Sequence, residues 1–324
     1  MQTPSQLLEK FEHALQNVAY PNRPEGLYEP IEYVLSAGGK RLRPVLVLLA
    51  YHLYHDDVEK AIPAALALET YHNHTLLHDD LMDRADMRRG RPTVHKKWDD
   101  NTAVLSGDTM LIMAFQHMMK CDTPRLAEMM QLFARSMQEI CEGQQYDVNF
   151  EQRNDVTEEE YIEMIRLKTS VLLACAIKTG ALLADAPAAD ADALYGFGEK
   201  VGLAFQLQDD YLDVYGDPAV FGKKIGGDIL CGKKTFMLIN AYNRADDATR
   251  ARLLSLINDK EMDDDAKIKA VTDIYNELHI AELCREKINS CYEEAREWFN
   301  RLSVADEKKQ VLWDYATSLL GRKS

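Results

Sequence analysis

The sequence predicts an all-α protein, on three observations. Apolar residues recur at three- and four-residue intervals, as at Leu7, Phe11 and Leu15 near the amino terminus. The alternation of apolar and polar residues that marks a half-buried strand is not evident. With 16 glycines and 10 prolines in 324 residues, helix-breaking positions are few and helices can be long. No linker rich in Pro, Gly or Ser divides the chain, so we expect residues 1–324 to form one domain.

The predicted elements, roughly a dozen helices in all, follow from local signals along the chain. Pro44 suits the first position of a helix at Val45–Tyr54. Thr157, with Glu160 three positions later, predicts the start of a helix at Glu158–Thr179. Helical spacing also marks the segments around Asp79, Asp209, Leu253 and Val311. Two less regular segments, Arg84–Asn101 and Tyr215–Gly232, are predicted to be loops that follow helix C-terminal ends.

Composition excludes several classes of protein. Hydrophobic residues make up 46% and charged residues 28%, which is typical of a folded globular chain. The formal net charge of -15 argues against a nucleic-acid-binding protein, because such binding depends on a surface rich in Lys and Arg. The six scattered cysteines include no CxxC pair, so neither a zinc site nor a disulfide framework is indicated. Without a signal peptide or a long uncharged apolar run, we expect a soluble, cytoplasmic protein that is not stably inserted in a membrane.

Two aspartate clusters are the strongest functional signal. His78-Asp79-Asp80-Leu81-Met82-Asp83 is echoed by Gln208-Asp209-Asp210-Tyr211-Leu212-Asp213. On a helix, residues three and four apart share a face, so each cluster brings like charges together unless a cation compensates them. A ligand set of carboxylate oxygens favours Mg²⁺, which binds through one or two carboxylates, water and substrate phosphates. We therefore predict that the two faces hold a diphosphate through Mg²⁺.

An acidic chain also has aspartate pairs for no functional reason, which is the alternative interpretation of the two clusters. The other pairs are followed at the fourth position by residues that do not complete the DDxxD pattern: Lys60, Ala103, Arg250 and Ile268. One DDxxD alone is more typical of a solvated surface. Two of them, each in apolar helical sequence and each followed by a basic segment, favour a site.

Cationic clusters accompany the aspartates. GGKRLRP at 38–44 combines a flexible turn with a helix start, so its amides and its two guanidinium groups are predicted to form an anion site. RRGRP at 88–92 is a second cationic turn. Lys168-Thr169, Lys223-Lys224 and Lys233-Lys234 follow, the last two around Gly226, Gly227 and Asp228. Any single cluster is more typical of a solvated patch, whereas together they predict two anion sites, one using metal and one using cations directly.

In these motifs the chain resembles the trans-isoprenyl diphosphate synthases, the family that contains farnesyl and geranylgeranyl diphosphate synthases. The motifs run from about residue 36 to about residue 235 and are GGKRLRP, HDDLMD, RRGRPTVH, GQQYD at 143–147, LKTS at 167–170, FQLQDDYLD at 205–213 and GKKIGGDI at 222–229. The resemblance implies an all-α fold of antiparallel helices around a deep central cavity, usually a homodimer. It also implies Mg²⁺-assisted ionisation of an allylic diphosphate, attack by the alkene of isopentenyl diphosphate, and proton loss.

The resemblance also implies roles for individual residues. The diphosphate of isopentenyl diphosphate would be bound by Lys40, Arg43, His72 and Arg89. The allylic diphosphate would contact Arg88, Lys168, Thr169, Gln206, Lys223 and Lys233, with Lys224 as the alternative to Lys223. Asp79, Asp83 and Asp209 would be the principal magnesium ligands, with Asp80, Asp210 and Asp213 close by or bridging through water. From its residues alone, His72 is equally typical of a packed core histidine on an apolar helix.

Product length is expected to depend on the residues below Asp79. With a pitch of about 5.4 Å, His74 and Thr75 lie roughly one turn below the aspartates and Tyr71 roughly two. A moderately bulky His74 and a small Thr75 predict a farnesyl or geranylgeranyl product, with geranylgeranyl favoured.

Two other readings of the motifs stay open at this point. A terpene cyclase also ionises an allylic diphosphate with magnesium, but it binds one diphosphate and would leave GGKRLRP without a function. A non-catalytic partner subunit of another prenyl synthase would be expected to have lost an aspartate motif, and both motifs are intact here.

Overall fold

The computed structural model describes residues 2–217 and 225–318, and this part of the chain is helical almost throughout. The prediction of an all-α fold is confirmed. The helices are α1 (Pro4–Gln16), α2 (Glu29–Leu35), α3 (Leu42–His52), α4 (Ile62–Met82), α5 (Val94–Lys97), α6 (Asp100–Met118), α7 (Leu126–Glu151), α8 (Glu158–Ile165), α9 (Val171–Leu183), α10 (Ala188–Tyr215), α11 (Gly227–Cys231), α12 (Phe236–Arg244), α13 (Asp247–Asn258), α14 (Asp264–Glu277), α15 (Ile280–Asn300) and α16 (Asp306–Ser318). A 3₁₀ turn at Val58–Ala61 precedes α4, and a π-helical turn at Arg166–Ser170 joins α8 to α9.

Helix starts follow the local chemistry of the sequence, with one correction. Thr157 and Glu160 form the predicted capping box at the start of α8. The helix predicted to start at Val45 begins instead at Leu42, after Arg41 in a left-handed conformation (φ 46°). Pro44 therefore lies in the first turn rather than at its first position. It is tolerated there because backbone N–H groups of the first turn have no partner within the helix.

Both predicted loops contain regular structure. Within Arg84–Asn101, Met87–Arg88 (β1) and Arg91–Pro92 (β2) pair antiparallel, with Arg88 opposite Arg91. This hairpin is too short to show as an alternating pattern in sequence. α5 follows it, and α6 already begins at Asp100. Within Tyr215–Gly232, α10 extends to Tyr215 and α11 occupies Gly227–Cys231, while residues 218–224 lie outside the described part of the chain.

The chain divides into two compact units. The first comprises the residues up to Phe133, Cys175–Asp192 and Ser303–Leu312. The second comprises Ala134–Ala174, Ala193–Leu302 and the residues from Trp313 on. The first unit contains the first aspartate cluster, and the second unit contains the second. A single domain over residues 1–324 stays a prediction.

In the first unit, α3 and α4 form the buried centre that supports the first cluster. Every residue from Pro44 to His52 in α3 is buried. α4 packs closely on α6 because Gly107 has no side chain: a Cβ there would lie 2.6 Å from Cδ2 of His78. The end of α4 that carries the aspartates therefore packs directly on α6.

Arg41 ties three helices of this unit together. Its guanidinium donates to Glu12 Oε1 (2.8 Å), Glu69 Oε1 (2.7 Å) and the carbonyl of Leu35 (2.6 Å). The side chains of Arg41 and Glu69 are 1% and 2% exposed. Removing one member of such a buried pair typically costs about 3–5 kcal/mol, because the remaining charge is left uncompensated. The left-handed turn at Arg41 is therefore stabilised from inside the protein.

In the second unit, glycines let two helices approach the π-helical turn Arg166–Ser170. A Cβ at Gly143 of α7 would lie 2.8 Å from Cα of Lys168. A Cβ at Gly202 of α10 would lie 2.6 Å from Cα of Ser170. A π turn inserted in an α-helix often occurs at a functional site. Here it sets the position of Lys168 and Thr169.

Candidate active site

The first aspartate cluster lies at the C-terminal end of α4, as its position before a basic loop predicted. Asp79 and Asp80 belong to the last turn, and Asp83 is the residue that ends the helix. Asp83 is exposed and Asp79 is half-buried, whereas Asp80 is only 5% exposed. The helix therefore separates its carboxylates into two more accessible ones and one that faces the protein.

Asp80 forms an ion pair with the hairpin. Arg88 Nε lies 2.8 Å from each carboxylate oxygen of Asp80. Burial raises the pKa of Asp80, and the Arg88 guanidinium opposes this rise. The pair fixes β1 against the end of α4 and places Arg88 beside the first cluster. The role of Arg88 in diphosphate binding stays a prediction.

Arg89 is placed at the tip of the hairpin by an unusual backbone. Arg89 (φ 51°) and Gly90 (φ 73°) both adopt left-handed conformations that turn the chain from β1 to β2. The Arg89 guanidinium donates to Asn73 Oδ1 at 3.2 Å and to the carbonyl of Gly38. It also packs on Gly39, where a Cβ would lie 2.9 Å from the Arg89 Cζ. The RRG and GGKRLRP motifs, 51 residues apart, thus meet in the first unit.

Arg43, His72 and Arg89 form a cationic cluster in this unit. Burial lowers the pKa of Arg43 to about 10, and its Nε is a buried donor without a hydrogen-bond partner. Burial, followed by the charges of Arg43 and Arg89, lowers the pKa of His72 well below its ordinary value, so His72 is neutral. Lys40 lies exposed in the same GGKRLRP turn. Clustered guanidinium groups of this kind suit the oxygens of a diphosphate.

The GGKRLRP motif contributes one guanidinium to this cluster where the sequence predicted two. Arg41 is turned inward and bonded to Glu12 and Glu69, so it has a structural role. Arg43 is the motif's guanidinium that remains near His72.

In the second cluster, Asp210 and Asp213 accept hydrogen bonds from the protein. Asp210, 3% exposed, accepts from the Tyr161 hydroxyl, Gln206 Nε2 (3.1 Å) and the backbone N–H of Phe236 (3.0 Å). Burial raises the pKa of Asp210 to about 7 despite these donors. Asp213 accepts from the backbone N–H of Asp228 at 3.0 Å and so holds the start of α11. Asp209 is half-buried and thus more accessible than either.

The predicted allylic-site residues of the second unit are linked to Asp210. Thr169 Oγ1 donates to Gln206 Oε1 at 3.2 Å, and the same amide donates to Asp210. Lys168 Nζ donates to Asp147 Oδ2 at 2.6 Å, which joins LKTS to GQQYD. Lys233 is exposed just before α12. Lys223 and its alternative Lys224 lie outside the described residues.

The chain-length candidates line one face of α4. Tyr71, 1% exposed, packs on His74 (ring centroids 5.6 Å apart) and on Phe133 (5.8 Å). His74 Nδ1 lies 2.9 Å from the carbonyl of Gly107, and burial lowers the pKa of His74 to about 4. Thr75 is half-buried and donates to the carbonyl of His72. The roles of Tyr71, His74 and Thr75 in product length stay predictions.

Comparisons with known proteins identify the family of this chain. A family model described as polyprenyl synthetase matches residues 24–275. The chain belongs to the polyprenyl synthetase family. It is 37% identical over 317 residues to a short chain isoprenyl diphosphate synthase of Methanocaldococcus jannaschii, covering 98% of this chain and 94% of that protein. It is 44% identical over 233 residues to a geranylgeranyl diphosphate synthase of Methanosarcina mazei, covering 71% and 72%. A crystal structure of a geranylgeranyl pyrophosphate synthase matches all of both chains with a TM-score of 0.94 at 42% identity.

These matches confirm the predicted family, the isoprenoid synthase fold and the enzyme class. The chain is a prenyl diphosphate synthase of the short-chain trans type. Members of this family use Mg²⁺ and act on isopentenyl and allylic diphosphates. Within the described residues, no helix is long and apolar enough to cross a membrane.

The donor chemistry of the aspartates fits Mg²⁺. Asp79, Asp83 and Asp209 are the more accessible carboxylates of the two clusters and offer the oxygen ligands that this ion prefers. In residues 2–217 and 225–318, no group of three or more His, Cys, Asp or Glu side chains is arranged as a metal site.

Sequence reasoning missed four supporting side chains: Glu69, Asn73, Asp147 and Tyr161. Each is buried or half-buried and contacts a predicted site residue or Arg41. GQQYD was noted as a motif, but the partner of its aspartate could not be read from spacing. The others carry no motif of their own, so only the folded contacts reveal them.

Proposed function

We propose that this enzyme condenses isopentenyl diphosphate with dimethylallyl, geranyl or farnesyl diphosphate to give geranylgeranyl or farnesyl diphosphate. The observation that carries the proposal is the cationic cluster of Arg43, His72 and Arg89 in the unit that also bears Asp79 and Asp83. Guanidinium groups bind one diphosphate directly, while carboxylates bind another through a metal. Two modes of diphosphate binding suit a reaction between two diphosphates. A terpene cyclase, which binds one, would not use both.

The residues divide by the substrate that they contact. Lys40, Arg43, His72 and Arg89 would bind isopentenyl diphosphate. Arg88, Lys168, Thr169, Gln206, Lys223 and Lys233 would bind the allylic diphosphate. In support, Arg88 lies beside the first aspartate cluster, and Thr169 and Gln206 are bonded to each other next to the second. A neutral His72 is suited to accept or donate a hydrogen bond without adding charge to its cationic neighbours.

Asp79, Asp83 and Asp209 would hold Mg²⁺, with Asp80, Asp210 and Asp213 supporting the clusters. When bound, Mg²⁺ neutralises charge that develops on the departing diphosphate. The chain itself would position the two substrates through its cations, and buried side chains such as Tyr71, 1% exposed, would exclude water from the allylic cation. The alkene of isopentenyl diphosphate then attacks, and the departed diphosphate accepts the proton. No side chain is assigned as a nucleophile.

The first unit also presents a face suited to self-association, in line with a homodimer. Val104, Leu105 and Ile112 of α6 are 42%, 58% and 59% exposed, although they are apolar. Exposed apolar residues that recur on one helix favour an interaction surface. Sedimentation velocity should therefore show that the parent chain is a dimer and that the double variant Leu105→Glu, Ile112→Glu is a monomer. A substitution of the exposed Lys97 should leave the dimer intact. A dimer unaffected by the double variant would place the interface elsewhere.

One assay tests the proposed function. The purified chain is incubated with Mg²⁺, radiolabelled isopentenyl diphosphate and, in turn, dimethylallyl, geranyl or farnesyl diphosphate, and the products are separated by reversed-phase chromatography. Labelled geranylgeranyl or farnesyl diphosphate is the expected result. Cyclic hydrocarbon made from farnesyl diphosphate alone would establish the cyclase alternative. No product in any combination would favour a non-catalytic subunit.

A further inference from the structure

Asn73 is a fully buried amide at the centre of the first unit. It lies on α4, six residues before Asp79, and is 0% exposed. Its Nδ2 donates to the carbonyl of Glu69 and to Glu69 Oε1, both at 2.9 Å. Its Oδ1 accepts from the Arg89 guanidinium at 3.2 Å. The Asn73 amide therefore donates both of its hydrogen bonds to Glu69, and its oxygen accepts one from Arg89.

Glu69 determines which way this amide points. Its carboxylate is 2% exposed and is held by Arg41 at 2.7 Å, so it is a fixed acceptor. Rotating the Asn73 amide by half a turn would set Oδ1 against this carboxylate and Nδ2 against the Arg89 guanidinium, which has donors only. Both contacts would then be repulsive. The Arg41–Glu69 pair thus keeps the Asn73 oxygen facing Arg89.

Within residues 2–217 and 225–318, two acceptors hold the guanidinium of Arg89. Its side chain is held at the far end by Asn73 Oδ1 and the carbonyl of Gly38, both of which accept from the same nitrogen. Arg89 itself sits in a left-handed turn at a hairpin tip and is exposed. Removing the Asn73 oxygen takes away one of these two acceptors, so the exposed arginine at the loop tip gains rotamers, and ordering it again on binding costs free energy.

We infer that Asn73 is a positioning residue for isopentenyl diphosphate binding: oriented by Glu69, it preorganises the Arg89 guanidinium beside Arg43 and His72. The inference rests on the proposed role of Arg89. It assigns Glu69 and Asn73 a part in substrate affinity that acts through Arg89 and not by contact with the substrate. A hydrogen bond to a charged group is worth enough for a roughly tenfold change in affinity when it is lost.

The test is a double-mutant cycle of Asn73→Ala and Arg89→Ala, with KM for each substrate and kcat measured for every variant. Asn240 supplies a matched control, because it is also a buried asparagine on a helix (4% exposed) whose Nδ2 donates to the carbonyl four residues earlier. Asn240→Ala removes the same helical hydrogen bond without touching the cationic cluster. Thermal melting by circular dichroism checks that each variant folds. Should Asn73→Ala not fold, Asn73→Ser, whose hydroxyl is too short to reach Arg89, takes its place in the cycle.

The expected result is a rise of roughly tenfold in KM for isopentenyl diphosphate in Asn73→Ala, with kcat and the allylic KM within about twofold of the parent. In the Arg89→Ala background the same exchange should add nothing, because the residue through which it acts is gone. The inference would be overturned if the increases in KM of the two single variants multiplied in the double variant, or if Asn240→Ala raised KM for isopentenyl diphosphate by the same factor. Either result would leave the proposed function standing. An Arg89→Ala variant with unchanged KM would overturn both the proposed role of Arg89 and the inference built on it.

Discussion

Gly143 offers a sharp test of how α7 positions the predicted allylic site. A methyl group at this position would lie 2.8 Å from Cα of Lys168 and 2.9 Å from the carbonyl carbon of Leu167. Carbon atoms in contact are about 3.5–4.0 Å apart, so the overlap in Gly143→Ala is about 1 Å. The atoms that it meets are backbone atoms, and no side chain can swing away. α7 or the π-helical turn at Arg166–Ser170 must therefore move.

Two effects of Gly143→Ala follow from that displacement. Overpacking of this size typically costs about 1–3 kcal/mol of stability. Lys168 would also be displaced from its place beside Asp147, to which its ammonium now donates at 2.6 Å. Because misplacing a substrate-positioning group by about 1 Å can cost roughly 100-fold in rate, we expect kcat/KM for the allylic substrate to fall by about that factor.

The assay for Gly143→Ala is steady-state kinetics with both substrates, together with thermal melting. Glu142→Ala is the control, since Glu142 is the exposed neighbour on the same helix. It should change kcat/KM less than twofold. A Gly143→Ala enzyme with parental kcat/KM and parental Tm would refute the reasoning, because it would show that the turn carrying Lys168 tolerates the added methyl group.

Three further predictions concern the aspartates and α4. Asp79→Ala or Asp209→Ala should abolish turnover while calorimetric titration still detects binding of isopentenyl diphosphate. Equal loss of turnover and of isopentenyl diphosphate binding would mean that the residues are wrongly divided between the two diphosphate sites. Tyr71→Ala or His74→Ala should lengthen the product seen by reversed-phase chromatography, since each removes bulk from the face of α4 below Asp79, and an unchanged product profile would contradict this. The pKa of His74 is lowered to about 4 from an ordinary 6.5. As the pH falls, His74 is therefore protonated in the unfolded chain at a higher pH than in the folded chain. Its contribution to stability is complete above pH 6.5 and is lost as the pH falls toward 4, about 1 kcal/mol of it by about pH 5.5. The loss of Tm on acidification should therefore be smaller in His74→Gln, and equal loss in the two proteins would argue against a neutral His74.

The fold class and the motif positions could be predicted because both depend on local pattern. Apolar spacing and the cap at Thr157 predicted helices that the structure contains. The four-residue interval from Asp79 to Asp83 predicted a shared helix face, and the two residues do lie one turn apart at the end of α4. The β1–β2 hairpin was missed because two-residue strands are too short to produce a period.

Local pattern in the sequence predicted an all-α chain, two DDxxD clusters near helix ends and several cationic motifs. Which of these charged side chains face inward could be seen only in the folded protein. Arg41 and Arg43 are the same residue type two positions apart, yet Arg41 pairs with Glu12 and Glu69, which are 29 and 28 residues away. Asp80 and Asp210 likewise turn to protein donors, while Asp79 and Asp209 stay more accessible. The physical reason is that a buried charge is stable only beside a partner, and partners distant in sequence become neighbours only when the chain folds.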